Sequence, residues 1–76
     1  MTSFERQAIV NNGGKIVKEY VLVSNYGYIV EVDDKKYDIR HWLNVYGASC
    51  DIWSALPEDD NQTINAILEA LRKTKE

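Results

Sequence analysis

One cysteine, Cys50, and one histidine, His41, are all this 76-residue chain offers toward a disulfide or a Cys/His zinc site. No intrachain disulfide can form, and no Cys/His set has zinc-ligand spacing. A domain this small buries only about 60% of the surface its unfolded chain exposes. Without a covalent or metallic staple it needs a well-filled core, self-association or a partner. The 45% apolar content suits a packed core rather than disorder. The bulk to fill that core is concentrated in the middle of the chain. Tyr20, Tyr26, Tyr28, Tyr37, Trp42, Tyr46 and Trp53 all fall between positions 20 and 53, and among the aromatic residues only Phe4 lies outside. That window is either a core or a gripping surface.

Four glycines and one proline punctuate the chain, with no repeat and no low-complexity stretch, so residues 1–76 read as a single domain. Asn11-Asn12-Gly13-Gly14 lies between Ala8-Ile9-Val10 and Ile16-Val17. An Asn-Gly pair between apolar runs favours a hairpin, because a type I′ turn needs positive φ at both central residues. The competing reading is a short helix, with Thr2-x-x-Glu5 as a capping box and the glycines as its stop. Lys15 to Ser24 reads as a strand, central because Val17/Val21/Val23 and Ile16/Tyr20/Leu22 give both faces apolar content. Ser24-Asn25-Tyr26-Gly27 reads as a turn, Tyr28–Val32 as a strand, Asp33-Asp34-Lys35-Lys36 as a polar turn and Tyr37–Arg40 as a returning strand.

Then the period changes. Ile39, Trp42, Leu43 and Tyr46 follow one helical face, with Asp38 as a possible N-cap and Gly47 as a stop, so residues 36–46 are contested between strand and helix. Ser49 is placed to cap a second short helix through Ile52, Trp53 and Leu56. The last segment carries the strongest pattern. Pro57 suits a first helical position, and Glu58, Asp59 and Asp60 suit the positive end of the helix dipole. Ile64, Ile67, Leu68 and Leu71 form an apolar stripe, and Arg72, Lys73 and Lys75 close the segment. The expected fold is therefore α+β: a three- or four-stranded antiparallel meander, then short helices, then a C-terminal helix over 58–74 packed on the sheet.

Charge divides the chain. Residues 1–40 balance Arg6, Lys15, Lys18, Lys35, Lys36 and Arg40 against Glu5, Glu19, Glu31, Asp33, Asp34 and Asp38. From His41 to Leu71 there is no Lys or Arg, while Asp51, Glu58, Asp59, Asp60 and Glu69 are present. A surface of that sign repels phosphate and attracts a basic partner. No apolar run reaches the roughly 18 residues a membrane span needs, and the first residues lack the pattern of a signal peptide. The expectation is a cytoplasmic protein without a membrane role.

Each chemical possibility has a plainer alternative. Asp38, His41 and Cys50 could form an activated nucleophile, but a boundary histidine and a packed thiol explain them as well. Asp33-Asp34 and Glu58-Asp59-Asp60 lack the ligand spacing of a calcium loop. Neither catalysis nor a metal or cofactor is expected. Tyr20, Tyr26, Tyr28 and Tyr37, with Lys15, Lys18, Lys35, Lys36 and Arg40, could stack single-stranded nucleic acid on a sheet, although the overall basic footprint is missing. A protein partner fits better, since Tyr and Trp are favoured at interfaces. Trp53 beside its carboxylates is the chosen anchor. The expected partner-binding set is Tyr46, Asp51, Trp53, Glu58, Asp59 and Asp60.

In size and charge the chain is similar to the small acidic inhibitors that phages and other mobile elements direct against host machinery, a likeness of composition. The expected function is a non-enzymatic protein-binding module, an inhibitor or adaptor for a basic protein surface. The alternatives are a small single-strand nucleic-acid binder and a structural homodimer joined through the stripe of the last helix.

Overall fold

A glycine with positive φ can end a helix as readily as it can turn a hairpin, and at Gly13 (φ 101°) it ends one. The computed structural model describes residues 3–23, 25–42 and 52–73. Its first element is the helix α1 (Ser3–Asn11). The Gly13 amide donates to the Val10 carbonyl at 3.1 Å and the Gly14 amide to the Ile9 carbonyl at 2.9 Å. These are the paired bonds of a Schellman stop. The hairpin favoured for this segment is thus corrected to a helix end. Glu5, Ala8 and Ile9, at i, i+3 and i+4, form the buried face that decides the matter. At Gly14 an added Cβ would lie 2.7 Å from Val30 and 2.9 Å from both Ile67 and Ile9, so the chain leaves α1 through a gap sized for glycine.

Four antiparallel strands follow in the order β1-β2-β3-β4: β1 (Lys15–Val21), β2 (Asn25–Val32), β3 (Lys35–Trp42) and β4 (Ile52–Leu56). The amide of Leu22 donates to the Asn25 carbonyl at 2.7 Å, so β2 begins at Asn25 and takes in Tyr26 and Gly27, which were expected in a turn. Asp33 and Asp34 have φ of 53° and 65° and join β2 to β3 by a two-residue turn of type I′ character, whose twist matches the flanking strands.

The expected central strand, β1, is instead at the sheet edge. A register shift between Ile16 and Lys18 breaks its alternation, and Val17 and Val21 remain exposed. Asp38, expected as a helix cap, lies within β3 opposite Ile29 and Leu56. The contested stretch is therefore strand as far as Trp42. Leu43, Tyr46, Gly47 and Ser49 lie outside the described residues. The second short helix expected through Trp53 is the strand β4, with Trp53 and Ala55 buried and Leu56 exposed in period-2 alternation.

The closing helix α2 (Gln62–Lys73) begins after Asn61, not at Pro57. The Asn61 Oδ1 accepts from the Ile64 amide at 3.0 Å, and its carbonyl accepts from the Asn65 amide at 2.9 Å, which makes Asn61 the N-cap. Both helices pack on one sheet face, α1 against β1 and α2, and α2 against β4. Ile9, Tyr28, Val30, Ile39, Ile64 and Ile67 are the centre of the core they close. The chain is an α+β domain with its C-terminal helix on the sheet, as expected. Ile64, Ile67 and Leu71 of the stripe are buried in that core, and Leu68 is half-buried at its margin.

Candidate functional site

The strand β4 and the loop after it place the expected site residues. Asp59 of that loop is tied back to the sheet. It pairs with Lys35 of β3 and accepts the Tyr37 hydroxyl on Oδ1 and Oδ2, both at 3.1 Å. The hydrogen bond from Lys35 is the main reason the Asp59 carboxyl sits below its ordinary value. Asp59 thus carries little free negative charge toward a partner. Glu58 and Asp60 are exposed on either side of it, and Asp60 accepts from Asn65 Nδ2 at 3.1 Å. Among the described residues neither Glu58, Asp60 nor Glu69 has an ion-pair partner.

Trp53 is the correction at this site. It is 4% exposed, so it is a core side chain and not a surface anchor. As a strand, β4 turns Trp53 toward the helix-covered face, where its ring stacks on Tyr28 (centroids 6.5 Å) and meets Tyr26 edge-on (6.0 Å) and His41 (4.8 Å). The cluster is completed by Glu5 of α1, a buried carboxylate that accepts the Tyr26 hydroxyl at 2.5 Å and the Tyr28 hydroxyl at 2.7 Å. Burial, then the bond to Glu5, pushes the Tyr28 phenol up from its ordinary value. His41 is buried between Tyr26 and Trp53. Tyr46, Asp51 and Cys50 lie outside the described residues.

Trp53 contributes its backbone to the surface instead. Arg72 of α2 donates Nη2 to the Trp53 carbonyl at 3.0 Å. Between that contact and Glu58 runs a groove of about 200 Å³, floored by Ala55, Ile64 and Leu68 and bounded by Pro57. Its lip continues along α2 past Asn65 and Glu69. Arg72 was expected only among the basic residues that close the last segment. Its spacing from Ile64 and Leu68 (i+8 and i+4) was the signal that it shares their flank.

The tyrosines proposed to stack nucleic acid do not share an open face. Tyr26, Tyr28 and Tyr37 lie on the helix-covered face, and Tyr28 and Tyr37 are buried. Only Tyr20 lies on the other face, where its ring crosses Gly27. A Cβ at Gly27 would lie 2.6 Å from the Tyr20 hydroxyl and 2.7 Å from the Ile39 carbonyl. Tyr20 donates to Asp38 at 2.6 Å, and Arg40 donates Nε to Tyr20 at 2.8 Å and Nη2 to Asp38 at 2.7 Å. This closed triangle clamps β1 to β3 across β2. Among the described residues no group of three His, Cys, Asp or Glu side chains is placed to hold a metal ion, and no helix is long and apolar enough to cross a membrane. No protein-family model, no curated protein and no solved structure matches this chain.

Proposed function

We propose that the chain is a non-enzymatic protein-binding module, an inhibitor or adaptor that takes a basic segment of its partner into the groove between β4 and α2. The observation that carries this reading is the groove itself. It joins an apolar floor of Ala55, Ile64 and Leu68 to a lip bearing the exposed carboxylate of Glu58, with the exposed Asp60 two residues further along the same loop. A few convergent polar groups around a concave apolar surface are the usual make-up of a recognition site. The burial of Trp53 reverses the direction of anchoring: this chain supplies the concavity and the partner supplies the inserted side chain.

Affinity capture from the native host tests the reading, with the wild type and a Glu58→Lys/Asp60→Lys variant side by side. The expected result is a basic protein retained by the wild type and lost from the folded variant. No retained protein, or one held equally by both, refutes it.

A further inference from the structure

We infer that the groove between β4 and α2 receives an extended peptide segment with a cation at one end, an apolar side chain in the middle and an acidic side chain at the other. This rests on the protein-binding reading above and adds the shape and charge order of the bound segment.

The charge order comes from the two ends of the groove. Glu58 and Asp59 border one end and Arg72 the other. Asp59 already holds Lys35, so Glu58 is the carboxylate left to meet an incoming cation. At the far end Arg72 is fixed by its bond to the Trp53 carbonyl through Nη2 alone among the described contacts, and a guanidinium has five N–H donors. A uniformly basic segment would leave its last cation against Arg72. A segment ending in a carboxylate would complement both ends.

The extended shape comes from the dimensions. Ile64, Leu68 and Arg72 stand four residues apart along one flank of α2, which spans about 12 Å from Ile64 to Arg72. The facing wall, β4 from Trp53 to Leu56 together with the Pro57 that follows it, spans about 13 Å. Either length matches about four residues of extended chain. A volume of about 200 Å³ cannot admit a helix about 10 Å in diameter, but it accommodates one medium-sized apolar side chain over Ala55, Ile64 and Leu68. The bound segment therefore places its two charges about three or four residues apart, with an apolar residue between them.

The test is a display library of ten random residues held between constant flanks, so that no free terminus is offered, selected on the immobilised full chain. The expected consensus is a Lys or Arg and an Asp or Glu three or four positions apart with an apolar residue between. Affinity should fall about two- to fivefold for Glu58→Lys, the scale of one exposed ion pair. It should fall by a similar factor for Arg72→Gln, which keeps a donor for the Trp53 carbonyl while removing the charge. Exchanging the peptide's acidic residue for its amide asks the same question without altering the protein, and a circular dichroism melt of each variant confirms that it is folded. Selected peptides that need Glu58 but carry no acidic residue and ignore Arg72→Gln would overturn the bipolar segment and leave the basic-partner reading standing. Peptides indifferent to Glu58→Lys would overturn both.

Discussion

Arg72 of α2 donates a hydrogen bond to the backbone carbonyl of Trp53 in β4 at 3.0 Å. The bond ties the last turn of the helix to the sheet's terminal strand, where edge carbonyls would otherwise face solvent. It also fixes the positive end of the groove. Arg72→Ala should cost about 1 kcal/mol, the net worth of one such bond, or about 4–8 °C in Tm for a domain of this size. Arg72→Gln should cost less. A thermal melt by circular dichroism reads the difference, and equal Tm values for all three proteins would mean the bond is not made in solution.

Trp53 is a core residue, and its substitution should behave as one. Trp53→Ala removes the ring that stacks on Tyr28 and meets His41. The expected cost is about 3–5 kcal/mol in a urea titration. A surface anchor would lose almost no stability on the same change. In a Trp42→Phe background, Trp53 emission should be blue-shifted and poorly quenched by acrylamide.

Stability should fall at high pH. Burial first, then bonds to Glu5, Asp38 and Asp59, raise Tyr28, Tyr20 and Tyr37 respectively above the ordinary tyrosine value. The folded chain keeps these protons after the unfolded chain begins to lose them near pH 10. Their contribution is therefore complete below about pH 10 and lost as pH rises through the folded values. At the acid end the signs reverse. Arg6 lowers Glu19 and Lys35 lowers Asp59, so their contribution is present above about pH 4 and fades below it. The urea midpoint at pH 11 should be lower than at pH 8, with a smaller drop in Tyr28→Phe. An unchanged midpoint at pH 11 contradicts the tyrosine assignments.

The β2–β3 turn offers a stabilising change. Asp33 and Asp34 hold φ of 53° and 65°, where a side chain carries a steric cost that glycine avoids. Asp34→Gly should gain about 0.5–1 kcal/mol after glycine's greater unfolded-state entropy is subtracted. A higher urea midpoint with unchanged slope is the expected reading, and a lower midpoint would show that Asp34 makes a compensating contact.

The α+β architecture was legible where one period ran unbroken. Ile64, Ile67, Leu68 and Leu71 mark α2, and alternation from Tyr28 to Val32 marks β2. It failed where two structures share a signal. Gly13 serves a hairpin and a helix stop equally, and only the burial of Glu5, Ala8 and Ile9 separates them. Ile52, Trp53 and Leu56 fit a helical face, yet pairing with β3 sets their period at two, because tertiary contact overrides a short local pattern. The acidic half of the site was visible in the sequence. Its counter-charges were not: Lys35 and Arg72 lie outside the Lys/Arg-free stretch and come to it only through the fold.

Binding in the groove is tested most directly by amide chemical-shift mapping of the labelled chain during titration with its captured partner or a selected peptide. Binding between β4 and α2 predicts shifts concentrated at Trp53, Ala55, Glu58, Asn65, Leu68 and Arg72, with Lys18, Ile29 and Lys36 on the opposite sheet face unmoved. Shifts centred on that opposite face, or on Val21–Val23, with the groove unchanged, would contradict it.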